Sequence, residues 1–155
     1  MGPNRRLLAV LTLVAALAAL ALSTPAGASD ESTTECTAFA VLKAGNEVPP
    51  TTSRASGAAA VHINGTTLSF AVAIFNPAGE SFIAGHIHVG AAGVNGPVAV
   101  PLFAGSVSTR LIFQADRLTI TEARAAEICG NPSGFYVNYH TTEFPGGAIR
   151  GQLSG

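Results

Sequence analysis

The chain of 155 residues has no tryptophan, one methionine, two cysteines, and charged side chains at only 11 % of its positions. Each scarcity removes a class of function. Binding nucleic acid by neutralising phosphates needs a basic surface, yet no basic run occurs and the formal net charge is −1. With aromatics at 6 %, a stacking platform for bases or sugars has few candidates. Neither Cys36 nor Cys129 has a near neighbour of metal-ligand type, so a cysteine-built metal site is disfavoured. No nucleophile elbow, phosphate loop, Ser/His/Asp arrangement or paired-carboxylate motif is present.

Long apolar runs are also few, and the one that exists is at the start. Arg5 and Arg6 precede an apolar stretch over residues 7–22, and Ala26-Gly27-Ala28 follows with small-x-small spacing. This predicts a signal peptide over residues 1–28, cut after Ala28. The alternative, a retained anchor, meets a run short for a full span and no basic stop-transfer cluster. No membrane span is expected after cleavage, and the product is expected to be secreted, periplasmic or in the cell envelope. The paired arginines fit a twin-arginine signal only loosely. Of the eight Lys and Arg, six remain without Arg5 and Arg6, against nine acids, so the exported part is mildly acidic. Export favours a disulfide between Cys36 and Cys129; the alternative is two unpaired buried thiols. A bridge closing so long a loop would contribute roughly 3–5 kcal/mol in the chain-entropy picture.

Three motifs stand out. Gly45-Asn46-Glu47-Val48-Pro49-Pro50 comes first. Ala84-Gly85-His86-Ile87-His88-Val89-Gly90 follows, running through a glycine-rich turn to Gly96-Pro97-Val98. Last come Tyr136-Val137-Asn138-Tyr139-His140-Thr141 and Ile149-Arg150-Gly151-Gln152. In kind and order these resemble the chordin-type domain known as CHRD. The likeness spans roughly Cys36 to Leu153, and Ala148 departs from it where the family often has glutamate. The resemblance implies a secreted, strand-rich interaction module without established catalysis, which binds an extracellular protein or surface ligand that the sequence does not name. The domain is set at residues 36–154, behind a flexible lead-in over 29–35.

Period-two patterning, punctuated by Gly, Pro and Asn, gives about eight short strands. Residues 37–44 form the first. Residues 57–63 and 67–75 form a hairpin with a type I′ signal at Asn64-Gly65. The His-x-His strand is next, then 98–103, a turn at Ala104-Gly105, and 107–114. One helix is capped by Thr121 and stopped by Gly130 and Pro132. Strands over 134–140 and 147–153 close the chain. The expectation is an antiparallel, Greek-key-like β-sandwich or barrel. The sequence order of hairpin, His-x-His strand, late histidine and C-terminal arginine also resembles the layout of the copper-zinc superoxide dismutase barrel. The long metal-binding loop of that family is missing, so dismutase activity is not carried over.

Strand side chains alternate faces. Ile87, Val89, Val137, Ile149 and Leu153 fall on the core side. His86, His88, Asn138, His140, Arg150 and Gln152 fall on the other, as one polar patch if their strands are neighbours. His86, His88 and His140 could bind copper or zinc, since imidazole suits both; no cofactor is required by the rest of the pattern. The competing reading has the imidazoles bonded to Asn138, Thr141, Glu143 and backbone carbonyls, fixing the long loops. Glu47 is expected to accept backbone N–H bonds, Arg150 to staple the last strand by pairing with Glu47 or Glu143, and His62 to be an ordinary surface residue.

Overall fold

The computed structural model describes residues 33–155. The expected signal peptide and the start of the lead-in lie outside the described residues. Eight strands form one antiparallel sheet that curls into a nearly closed barrel: β1 (Glu35–Lys43), β2 (Ser56–Asn64), β3 (Thr67–Phe75), β4 (Phe82–Val89), β5 (Val98–Val107), β6 (Leu111–Thr119), β7 (Phe135–Thr141) and β8 (Ile149–Gln152). The order across the sheet is β5-β4-β7-β8-β1-β2-β3-β6. Among the described residues one α-helix, α1 (Glu122–Gly130), joins β6 to β7.

Alternation builds the core. Leu42, Ile63, Leu68, Ile74, Ile87, Val137, Ile149 and Leu153 all point inward and are buried, each contributing about 1.5–3 kcal/mol over an exposed position. Val89 is half-buried against this core. Thr121 caps α1 as expected, its hydroxyl accepting from Arg124 N. Ala125 and Ile128 bury the inner stripe of the helix. Cys36 and Cys129 form a disulfide, tying β1 to the end of α1.

Two expectations fail locally. The β2–β3 turn is centred on Gly65-Thr66, with Gly65 at φ +56° and no non-glycine at positive φ among the described residues. A type I′ turn needs positive φ at both central positions, so the turn is of another type. Ala104-Gly105 is not a turn either. β5 runs on to Val107, because β4 continues to offer it partners, pairing Ala84 with Ala104 and Phe82 with Val107 across register shifts. The glycine marks an irregular stretch of strand rather than its end. The reversal comes only after Val107, and β6 then extends to Thr119 to match all nine residues of β3.

Candidate functional site

β4, β7 and β8 are neighbours, so the three motif strands lie side by side. His86, Asn138 and Arg150 form one cross-strand row, and His88, Tyr136 and Gln152 the next. His140 stands opposite Ala84. The core-distal side of these strands is nevertheless not solvent. His88, Asn138, His140 and Arg150 are all buried, and His86 is half-buried. The cover is made by the loops over residues 90–97 and 142–148.

These loops fix the imidazoles. His140 Nδ1 lies 3.0 Å from the Pro145 carbonyl and His88 Nδ1 lies 2.9 Å from that of Gly96. A carbonyl only accepts, so each Nδ1 carries the proton and each Nε2 carries the lone pair. His86 Nδ1 sits 3.1 Å from His140 Nε2 and donates to it. His88 Nε2 is buried and has no partner. One nitrogen from each of the three rings lies within 4.8 Å of the others. Asn138, Thr141 and Glu143, the side-chain partners anticipated for the imidazoles, bond to none of them; the loop carbonyls and the rings themselves do.

The electrostatics keep the rings neutral. Burial lowers the pKa of all three histidines, and for His140 the drop reaches about 4, with His86, His88 and Arg150 adding repulsion of a proton. Arg150 also disfavours protonation of His88. At neutral pH the rings are therefore neutral, with the His88 Nε2 lone pair unshared and that of His140 Nε2 taken by His86 Nδ1–H.

Arg150 belongs to the scaffold of the site. Its Nε donates to Glu47 Oε2 at 2.6 Å, Nη2 to Asn95 Oδ1 at 2.6 Å, and Nη1 to the Val94 carbonyl at 3.3 Å. Its guanidinium lies 4.4 Å from the Tyr136 ring centroid, and His88 stacks on the same ring at 5.0 Å. Of its two anticipated partners Arg150 takes Glu47; Glu143 is exposed. Glu47 corrects another expectation: it accepts from the Arg150 guanidinium, and Oε1 has no partner. Burial raises its pKa, with Arg150 pulling the other way. Asn138 Oδ1 is likewise buried without a partner. Gln152 stands beside Tyr136 in its row and makes no bond to the histidines, its amide nitrogen donating to the carbonyls of Gly90, Ser133 and Phe135. His62 is exposed and bonds Thr37 Oγ1.

A family model for the CHRD domain matches residues 38–153. The chain belongs to the CHRD domain family. No curated protein and no solved structure matches it. In this CHRD domain Ala148 is fully buried. No helix among the described residues is long and apolar enough to cross a membrane.

Sequence reasoning missed three parts of the site. Tyr136 stands in the sequence only as part of a motif, and its hydroxyl accepts from Gly96 N at 3.1 Å. Asn95 is visible in the sequence only as a turn residue. The carbonyls of Gly96 and Pro145 carry no side-chain signal. Gly147 does leave one: φ is +135°, and a Cβ there would stand 2.7 Å from both Asn138 Nδ2 and Glu47 Oε1.

Proposed function

We propose that this CHRD domain is an exported binding module whose site takes a copper or zinc ion on His86, His88 and His140. The observation that carries this reading is His88 Nε2. It is a buried lone pair with no partner, on a ring whose other nitrogen is fixed to the Gly96 carbonyl. Leaving such an atom unpaired costs about 1–3 kcal/mol, and a metal ion would satisfy it. The backbone bonds to His88 and His140 match the outer shell that orients metal-ligating imidazoles. Tetrahedral zinc at about 2.0–2.1 Å needs nitrogens about 3.3 Å apart; the 4.8 Å limit observed is within reach of a ring rotation, and half-buried His86, with no carbonyl anchor, is the ring free to make it.

The competing reading, in which the histidines only pin the loops, accounts for both Nδ1 atoms and leaves His88 Nε2 unexplained. Three neutral nitrogen donors suit copper or zinc and leave a fourth position for water or a ligand. No catalysis is assigned to it. Export is supported by the Cys36–Cys129 disulfide and by the leader-like pattern over residues 1–28. An extracellular protein or surface ligand remains the partner class that the family suggests.

The test is metal retention. The exported protein, loaded with copper or zinc and desalted, should keep about one ion per chain, and the His86→Ala/His88→Ala variant should keep none. Equal retention by both, or none by either, would remove the metal reading.

A further inference from the structure

Charge is scarce under the loop roof. β4, β5 and β7 carry no Lys, Arg, Asp or Glu, and neither does the loop over residues 90–97. The loop over residues 142–148 brings one acid, Glu143, which is exposed. β8 carries Arg150 alone, and Glu47 balances it across 2.6 Å. No carboxylate joins His86, His88 and His140 among the described residues. The strand facing His140 offers none either. Ala84 stands directly opposite it on β4, so its methyl group shares the face of the imidazole at cross-strand distance, roughly 5 Å between Cβ atoms.

From this charge pattern we infer that the fourth position of the metal site takes a small monodentate anion from solution, an inference that rests on the metal reading above. Three neutral imidazoles leave a copper(II) or zinc ion its full double charge. A covered ion without a counter-charge is costly, and attraction between opposite charges weighs far more under a low-dielectric cover than in water. The bound cation would dominate the local field. Arg150 sharpens the demand, since its positive charge reaches the rings and helps to hold the pKa of His88 and His140 down. Glu47 is no counterweight: Arg150 already engages it, and burial pushes its pKa up. Water as the fourth ligand is neutral and leaves the charge standing. Access sets the size of the anion. His88 and His140 are each 8 % exposed, while His86 and Ala84 are half-buried and form the open side of the cluster. An anion the size of formate fits an approach past a methyl group; the loops close the rest.

The test uses the exported protein loaded with copper(II) and desalted, with azide as the probe, because azide bound to copper(II) gives a charge-transfer absorption band. The expected result is a band that saturates at about one azide per copper, as one open position requires. Formate should displace the azide. Formamide, its neutral isostere, should not, and neither should benzoate, which is too large to pass the loops. Ala84→Glu places an internal carboxylate opposite His140; it should keep its copper and lose the azide band, while Ala84→Gln keeps both. Copper retained without an azide band would overturn this inference and leave the metal reading standing. Displacement by formamide or benzoate as effective as by formate would also overturn it, as would azide binding that Ala84→Glu leaves undiminished. A protein that retains no copper would remove the metal reading and this inference with it.

Discussion

The two halves of the barrel share one core and use their outer sides in opposite ways. On β1, β2 and β3 burial alternates for most of each strand, and the middle of their outer side, across to Phe113 and Ala115 of β6, is bare and apolar. On β7 every residue from Phe135 to Thr141 is buried, because loops cover the outer side and side chains there are polar. A covered polar layer must satisfy its donors and acceptors, and most of this one does, through Arg150, Asn95 and the carbonyls of Gly96 and Pro145. The exceptions, His88 Nε2, Glu47 Oε1 and Asn138 Oδ1, all fall in the covered half. A sheet face left bare points to partners; a face roofed by loops, with an orphaned nitrogen under the roof, points to a small ligand.

Mutations can break that comparison. The largest effect belongs to the shared core. Val137→Asp should prevent folding, since it buries an unpaired carboxylate at a fully inaccessible position. Ala71→Asp, on the bare side, should cost the monomer about 1 kcal/mol or less. Thermal melting of both variants measures the contrast, and equal losses would mean the two faces are not distinct. Next comes the disulfide. Cys36→Ser/Cys129→Ser should lower stability by about 3–5 kcal/mol, because the bridge closes a loop across a sequence separation of 93. Urea unfolding checks this.

A smaller loss is expected under the roof. Gly147→Ala should cost about 1–3 kcal/mol, since φ of +135° belongs to a region essentially reserved for glycine. The new methyl would also press on Glu47 and Asn138, so the variant should weaken metal retention as well as melting. Unchanged retention would uncouple the Glu47–Arg150 pair from the histidines. A further effect is in pH. In the metal-free protein His140 has its folded pKa lowered from 6.5 to about 4. The unfolded chain therefore takes up a proton first. Stability should be full above pH 6.5 and fall as pH drops from there toward 4. His140→Gln should flatten that slope, while His62→Gln, on the exposed side, should leave it intact.

Strand alternation made the core legible in the sequence: Ile87, Val137, Ile149 and Leu153 follow from period two alone, as does the polar set opposite them. Adjacency of β4, β7 and β8 did not follow, because pairing is a long-range matter that local pattern does not encode. Coverage was legible only in outline. The two glycine- and proline-rich loops could be expected to shield the histidines, but the atoms that fix the rings are backbone carbonyls, which every residue has. The same limit explains β5, where Ala104-Gly105 reads as a turn by composition and is held in a strand by pairing with β4. The bare apolar face could have been read from Phe39, Val41 and Phe113 alternating with core residues. What hid it was the run of alanines, which looks neutral until four strands are set side by side.

The central claim is that three imidazoles under the loop roof converge on one ion. X-ray absorption of the copper- or zinc-loaded protein tests it most directly. The account predicts three imidazole nitrogens at about 2.0–2.1 Å, falling to two in His88→Ala. Fewer than three nitrogen donors in the wild type, or a spectrum that His88→Ala leaves unchanged, would contradict it.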